Sequence, residues 1–219
     1  MTIFVIMPVK RLDDAKSRLS TLLTDDERKQ FCLTMLEDIL RTVKSTASIH
    51  QTVVISKAPE VFNIAKNFKA TYLNESENGL NEAVSEAINW CIRKEASSVL
   101  ILPADIPLVT PTDLERMLAL REKAAMVISP SRNGKGTNAL LLTPPNVGGI
   151  FYGPHSFQRH LEEASERKIS VCKFKSSRIA LDIDTVKDLK NFISKNGNTS
   201  STNKLLNKMG IANRLVNAH

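Results

Sequence analysis

Aromatic side chains are scarce in this chain of 219 residues: eight Phe, two Tyr and one Trp, 5% in all. A surface that stacks unpaired bases needs rings interleaved with cations, and no such pattern is present. Cysteine is scarcer still. Cys32, Cys91 and Cys172 lie far apart and form no C-x-x-C pair, so neither a disulfide framework nor a zinc site is suggested, and all three are expected to pack as small hydrophobes. Long apolar runs are missing. None reaches membrane-spanning length, and the N-terminus enters a strand without a signal-peptide h-region, so a cytoplasmic location with no membrane contact is expected. Acids are absent from Lys190 to His219, where Lys190, Lys195, Lys204, Lys208 and Arg214 supply +5 of the net charge of +7. The remainder is nearly neutral, a distribution that argues against a nucleic-acid partner.

What is present is the balance of a soluble globular protein, 42% hydrophobic and 24% charged. Strands and helices take turns. IFVIMPV reads as a strand; Thr24 and Glu27 have capping-box spacing ahead of a helix with Phe31, Met35, Leu36, Ile39, Leu40 and Val43 at helical intervals. TVVIS, a helix over 59–67, ATYLN and the helix GLNEAVSEAINWCI follow, then the apolar strand SSVLILPAD and a helix capped by Thr112. AMVISPS and NALLLTPP read as strands with room for antiparallel pairing, HSFQRHLEEASERK as a helix, SVCKF and IALDID as strands, and VKDLKNFISK as a closing helix. This alternation predicts an α/β fold: a single three-layer domain over 1–195, with a mostly parallel mixed sheet between helical layers. Residues 196–219 read as a polar linker, NGNTSSTN, and an amphipathic tail with Leu205, Leu206, Met209, Leu215 and Val216 on one face. That tail docks on its own domain or on a second copy, the latter making a homodimer.

Chemistry concentrates at strand ends. The first strand runs into KRLDDAKSRL, where Lys10, Arg11, Lys16 and Arg18 place four cations within nine residues. Strand-to-helix turns of open α/β sheets hold anions because unpaired helix N–H groups and cations converge there, so the cluster reads as a polyphosphate grip, although charged turns are more often plain solvated surface. Asp105, in PADIPLVTP, stands beyond a buried strand between two prolines that stiffen the turn. A carboxylate so placed suits magnesium, which needs only one or two protein carboxylates beside phosphate oxygens; the plainer reading is a turn or cap aspartate. In LDIDT, Asp182 and Asp184 face the same way on a strand; they complete a metal site, or Asp184 caps the helix at Thr185. RNGKGTNALLL offers close backbone approach at Gly134 and Gly136 and neutral donors at Thr137 and Asn138, or is a flexible hairpin. FYGPHSFQRH puts Gly153 and Ser156 at a helix start, another anion site. His155 and His160, five apart, are poorly spaced for zinc and read as surface residues.

PVKRLDDAKSRL, GLNEAV, PADIPL, RNGKGTNALLL, FYGPHSFQRH and LDIDTVKDL, in this order, resemble the 2-phospho-L-lactate guanylyltransferase family of coenzyme F420 biosynthesis. TNALLL and the FGPHSF-like segment are the most specific parts, and the tail after Lys195 lies outside the core resemblance. The resemblance implies a GT-A-like nucleotide-diphospho-sugar transferase (Rossmann-like) fold. It also implies transfer of GMP from GTP to 2-phospho-L-lactate, giving lactyl-2-diphospho-5'-guanosine and pyrophosphate; related members use phosphoenolpyruvate or 3-phosphoglycerate. Carried onto this chain, the family's motifs imply that Pro8, Val9, Lys10, Lys16, Arg18, Gly79, Leu80 and Asn81 bind nucleotide, the last three at the base. Lys16, Arg18 and Asp105 are the implied catalytic residues. Thr137, Asn138, Gly153 and Ser156 would bind the acceptor, and Asp105, Asp182 and Asp184 would hold Mg2+.

Two other readings compete. Transfer to a sugar phosphate or molybdopterin is the alternative within the enzyme class, but a molybdopterin-type enzyme would open with a glycine-rich loop, and here no glycine precedes Gly79. A non-catalytic nucleotide- or nucleic-acid-binding protein using the basic tail is the alternative outside it.

Overall fold

The computed structural model describes residues 2–13, 15–76, 79–195 and 200–217, the side chain of Asn217 excepted. Strand β1 (Ile3–Val9) is apolar throughout, and its side chains alternate between two cores, Ile3, Val5 and Met7 on one face and Phe4 and Ile6 on the other. A strand apolar on both faces belongs at the centre of a covered sheet. β1 lies there, parallel to β2 (Gln51–Ser56) on one side and β4 (Ser98–Ile101) on the other. With β3 (Thr71–Asn74), β5 (Met126–Pro130), β6 (Thr137–Leu142) and β7 (Val171–Lys173), the sheet order is β3-β2-β1-β4-β6-β5-β7. Among the described residues only β6 runs against its neighbours, antiparallel to β4 and β5. That reversal brings the start of β6 beside the end of β4, which matters for the site.

Helix α1 (Asp25–Lys44) opens at the Thr24–Glu27 capping box read from the sequence. Together with α2 (Pro59–Asn67) and α4 (Pro111–Ala119) it covers one face through Leu36, Ile39, Val61, Ile64, Leu114 and Met117. α3 (Leu80–Arg93) and α5 (Ser156–Glu166) cover the other through Ala83, Ala87, Ile88 and Ala164. α4 is capped two residues earlier than expected: Thr110, not Thr112, closes a capping box with Asp113, because Pro111 lacks the N–H that a first-turn residue cannot use anyway. Residues 181–184 are not a strand either. The Ile183 N–H donates to the carbonyl of Asp105 at 3.0 Å rather than to a strand partner. Alternation survives nonetheless, with Leu181 and Ile183 buried and Asp182 and Asp184 half-buried on the opposite side.

The tail belongs to this body. α6 (Val186–Lys195), α7 (Ser201–Lys208) and α8 (Ile211–Asn217) bring Phe192, Leu206, Ile211 and Leu215 into a third core with Leu19, Leu181 and Ile183. Asp38 of α1 accepts the Ser201 and Thr202 N–H groups at 3.1 and 2.7 Å, and Arg214 forks onto Glu27 at 2.7 Å through both terminal nitrogens. Of the segment read as a linker, 196–199 lie outside the described residues, Ser200 caps α7, and Ser201, Thr202 and Asn203 are its first turn. The expected single amphipathic face is divided between two helices by Gly210, which holds a φ of 67° that other residues adopt at a cost. Val216, expected on that face, is 72% exposed, while Leu206 and Leu215 are used within the chain. Among the described residues no helix is long and apolar enough to cross a membrane.

Candidate active site

The loops after β1 and β4, the β5–β6 loop, the approach to α5 and the 182–184 segment line one cavity of about 680 Å³. Its floor is an ion triplet. The Lys16 side chain is only 9% exposed, and its Nζ donates to Asp105 Oδ2 at 2.7 Å and to Asp184 Oδ1 at 2.6 Å. Lys16 itself sits in the left-handed region (φ 54°, ψ 37°), the backbone turn that sends its side chain inward from the loop. Burial alone would lower the ammonium pKa; the two adjacent carboxylates outweigh it and hold Lys16 above the usual lysine range. For Asp184, burial pushes upward, and the Lys16 charge and hydrogen bond reverse that and hold it below the usual carboxylate range, with Arg18 and Lys10 assisting.

Asp184 is therefore not the helix cap that the sequence left open. The cap is Thr185, whose hydroxyl oxygen accepts from Asp188 N at 3.3 Å while the Asp188 carboxylate accepts from Thr185 N at 3.0 Å. Asp182 faces the same cavity. It accepts from the Asn138 amide at 3.1 Å and pairs with no cation among the described residues; burial, then the charges of Asp105 and Asp184, raise its pKa.

Other expected residues separate into those the fold brings together and those it does not. Pro8, Val9, Lys10 and Leu80 line the cavity, and so do Thr137, Asn138, Gly153 and Ser156. Gly79 lines an adjoining cavity of about 230 Å³ that shares Pro8, Val9, Lys10 and Leu80 with the first. Its φ of 135° lies where glycine is favoured. Arg18 is exposed and lines neither cavity, acting on the floor through charge alone. Asn81 lines neither cavity: its amide accepts from Tyr152 N at 2.6 Å and donates to Tyr152 O at 3.2 Å, clamping α3 to the loop before α5. Asn138 is likewise committed, donating to Ile179 O at 3.0 Å as well as to Asp182. It positions a carboxylate.

Sequence reasoning missed Ser131 and Asn133, which shape the β5–β6 loop: Ser131 Oγ accepts from Gly136 N at 2.8 Å, and Asn133 Oδ1 accepts from Lys135 N at 2.9 Å. Their signal was a Ser and an Asn two apart beside Gly134, a side-chain-bonded turn. Cys32 also reaches the cavity wall, its thiol pushed up to about 11 by burial. His160, read as a surface residue, is fully buried.

The donor set fits magnesium. Two carboxylates, Asp105 and Asp184, share the one buried ammonium of Lys16, and a third, Asp182, is held by a neutral amide alone. Among the described residues no three acidic, His or Cys side chains form a ready-made cage. Magnesium does not need one when phosphate oxygens and water complete its octahedron.

The family model described as "Guanylyl transferase CofC like" matches residues 3–218, tail included, so the tail is not outside the resemblance as the motifs had suggested. The chain is 35% identical to a 2-phospho-L-lactate guanylyltransferase of Methanobrevibacter ruminantium, over 95% of its own length and 92% of that protein's. It is 32% identical to a phosphoenolpyruvate guanylyltransferase of Sphaerobacter thermophilus, over 86% and 91% of the two chains. A crystal structure from Desulfovibrio desulfuricans, described as a nucleotide-diphospho-sugar transferase, superposes with a TM-score of 0.81 at 18% identity, covering 98% of this chain and 99% of that one. That likeness bears on the fold alone. With nearly the whole length matched and the charged floor assembled from the motifs that carried the resemblance, this chain belongs to the CofC-like guanylyl transferases.

Proposed function

We propose that the chain transfers GMP from GTP to 2-phospho-L-lactate, giving lactyl-2-diphospho-5'-guanosine and pyrophosphate. The observation that carries this reading is Lys16 lying between Asp105 and Asp184 in a cavity that Lys10, Leu80, Thr137, Gly153 and Ser156 also line. The nucleotide base goes to the Gly79–Leu80 end, the triphosphate to Lys10 and Lys16, and the acceptor to Thr137, Gly153 and Ser156. A phosphate oxygen of the acceptor attacks the α-phosphorus in line and the bond to the β-phosphate oxygen breaks. A phosphate dianion is already nucleophilic, so the residues need to align the two substrates and neutralise charge more than to remove a proton. Lys10 and Lys16 supply positive charge where pyrophosphate departs. Asp105, with Asp182 or Asp184, would hold Mg2+, which supplies Lewis-acid neutralisation of the phosphate oxygens.

Phosphoenolpyruvate is the second acceptor to consider, because relatives at similar identity carry that name. The two acids differ by a methyl against a methylene, a small contrast for a pocket to read. The test is pyrophosphate release with Mg2+, each nucleoside triphosphate and each of phospholactate, phosphoenolpyruvate and 3-phosphoglycerate. The reading expects release with GTP and one acid, lost by orders of magnitude in Asp105→Asn with the fold retained. Release with no acid, or near-normal turnover in that variant, rejects it.

A further inference from the structure

His160 has no exposed surface, yet it touches three segments of the acceptor end of the cavity. Its Nε2 lies 3.1 Å from the backbone nitrogen of Phe151, which can only donate, so Nε2 is unprotonated. Its Nδ1 lies 2.7 Å from the carbonyl oxygen of Ser156, which can only accept, so Nδ1 carries the hydrogen. Burial, the largest influence, holds the imidazole below the usual histidine pKa; the Ser156 carbonyl and Glu163 oppose this less strongly, and Arg159 adds to it. One neutral tautomer satisfies the whole set.

That tautomer has a consequence for the Thr137 hydroxyl, which lies next to that of Ser156. Thr137 Oγ1 lies 3.2 Å from Nδ1, and since Nδ1 already bears a hydrogen, the hydroxyl oxygen accepts there and keeps its own hydrogen for another partner. Ser156 Oγ accepts from Thr137 N at 2.9 Å, so its hydrogen is also uncommitted. Neither hydroxyl donates to a protein acceptor among the described residues, and both residues line the cavity. We propose that His160 is a positioning residue that, through its Nδ1–H tautomer, leaves the Thr137 hydroxyl a donor for the anionic groups of the acceptor, beside the Ser156 hydroxyl that Thr137 N orients. This rests on the acceptor end assigned under the proposed function.

The test combines spectroscopy with kinetics. In the wild-type protein, the ¹⁵N signals of His160 should show Nδ1 as pyrrole-type and Nε2 as pyridine-type near neutral pH; the reverse overturns the proposal whatever the protein catalyses. In pyrophosphate-release assays, His160→Leu should raise the acceptor KM about 10-fold to 100-fold, the worth of one or two hydrogen bonds to a charged group, and leave the GTP KM within about threefold. His160→Asn, which keeps a donor near the Nδ1 position, should recover most of that loss. Equal rises in both KM values, or an unchanged acceptor KM in His160→Leu, overturn the positioning role while leaving guanylyl transfer by the wild type intact.

Discussion

Replacing Lys16 by Met keeps an unbranched stem of similar reach and deletes only the ammonium. Breaking a fully buried ion pair costs about 3–5 kcal/mol. Here Asp105 is 27% and Asp184 46% exposed, so solvent takes over much of their charge. Discounting for that screening leaves about 1–2 kcal/mol, or a Tm lower by about 2–8 °C in a chain of this size. The catalytic loss is larger. A preorganised cation aimed at developing phosphate charge is worth about 3–4 kcal/mol, a fall of about 10² to 10³ in kcat/KM. A further signature separates this from generic damage: without the ammonium, Asp105 and Asp184 face each other uncompensated, so Mg2+ alone should raise the Tm of K16M by more than it raises the parent's. Thermal melts with and without Mg2+, beside pyrophosphate release under GTP saturation, measure all three. A kcat/KM within about threefold of the parent's, with no difference in the Mg2+ response, would refute the assignment of Lys16 to the floor of the reaction site.

Asn138→Leu should lower turnover by about 10-fold or more, because a group that orients a charged ligand commonly counts for that much; steady-state rates equal to the parent's would free Asp182 from this dependence. Leu206→Ala empties part of the third core, behind Leu19 and Leu181, and should cost about 2–4 kcal/mol, seen as a Tm drop of about 4–16 °C; a drop under about 2 °C would mean that α7 is not packed as described. The Glu27 carboxyl is held at about 2, against an ordinary 4.5, chiefly by its hydrogen bonds to Arg214. A depressed acid stabilises the fold above its unfolded pKa and loses that contribution as pH falls through the folded value. The Tm gap between the parent and Arg214→Leu should therefore be widest above about pH 4.5 and close towards pH 2; a gap independent of pH would detach the effect from Glu27.

Much of the fold was legible because its signals are local. A capping box at Thr24 and Glu27 needs only four consecutive residues, and β1 announced its central place by being apolar on both faces. Where the reading slipped, a neighbour distant in sequence had intervened. IALDID has the alternation of a strand, but its backbone bonds to the Asp105 loop, and alternation alone does not reveal which partner a segment meets. His160 looked like surface because its helix is polar around it; Thr137, from another strand, and Phe151, from a loop, made it a core residue. Asn81 and Asn138 looked like ligand-reading amides, and each was already bonded to a segment at least 41 residues away. An amide's chemistry is written in its side chain. Its availability is not.

From the sequence alone come the alternation of strands and helices, the cations after the first strand, the aspartates beyond β4 and in the 182–184 segment, and the family resemblance, all of which depend on residue type and short spacing. Tertiary structure alone decided that Lys16 lies between Asp105 and Asp184, 89 and 168 residues away, and that the tail supports that floor from behind. The reason is physical: a buried charge is tolerated only where opposite charge surrounds it, and that enclosure is made when the parallel strands and the reversed β6 bring their ends together.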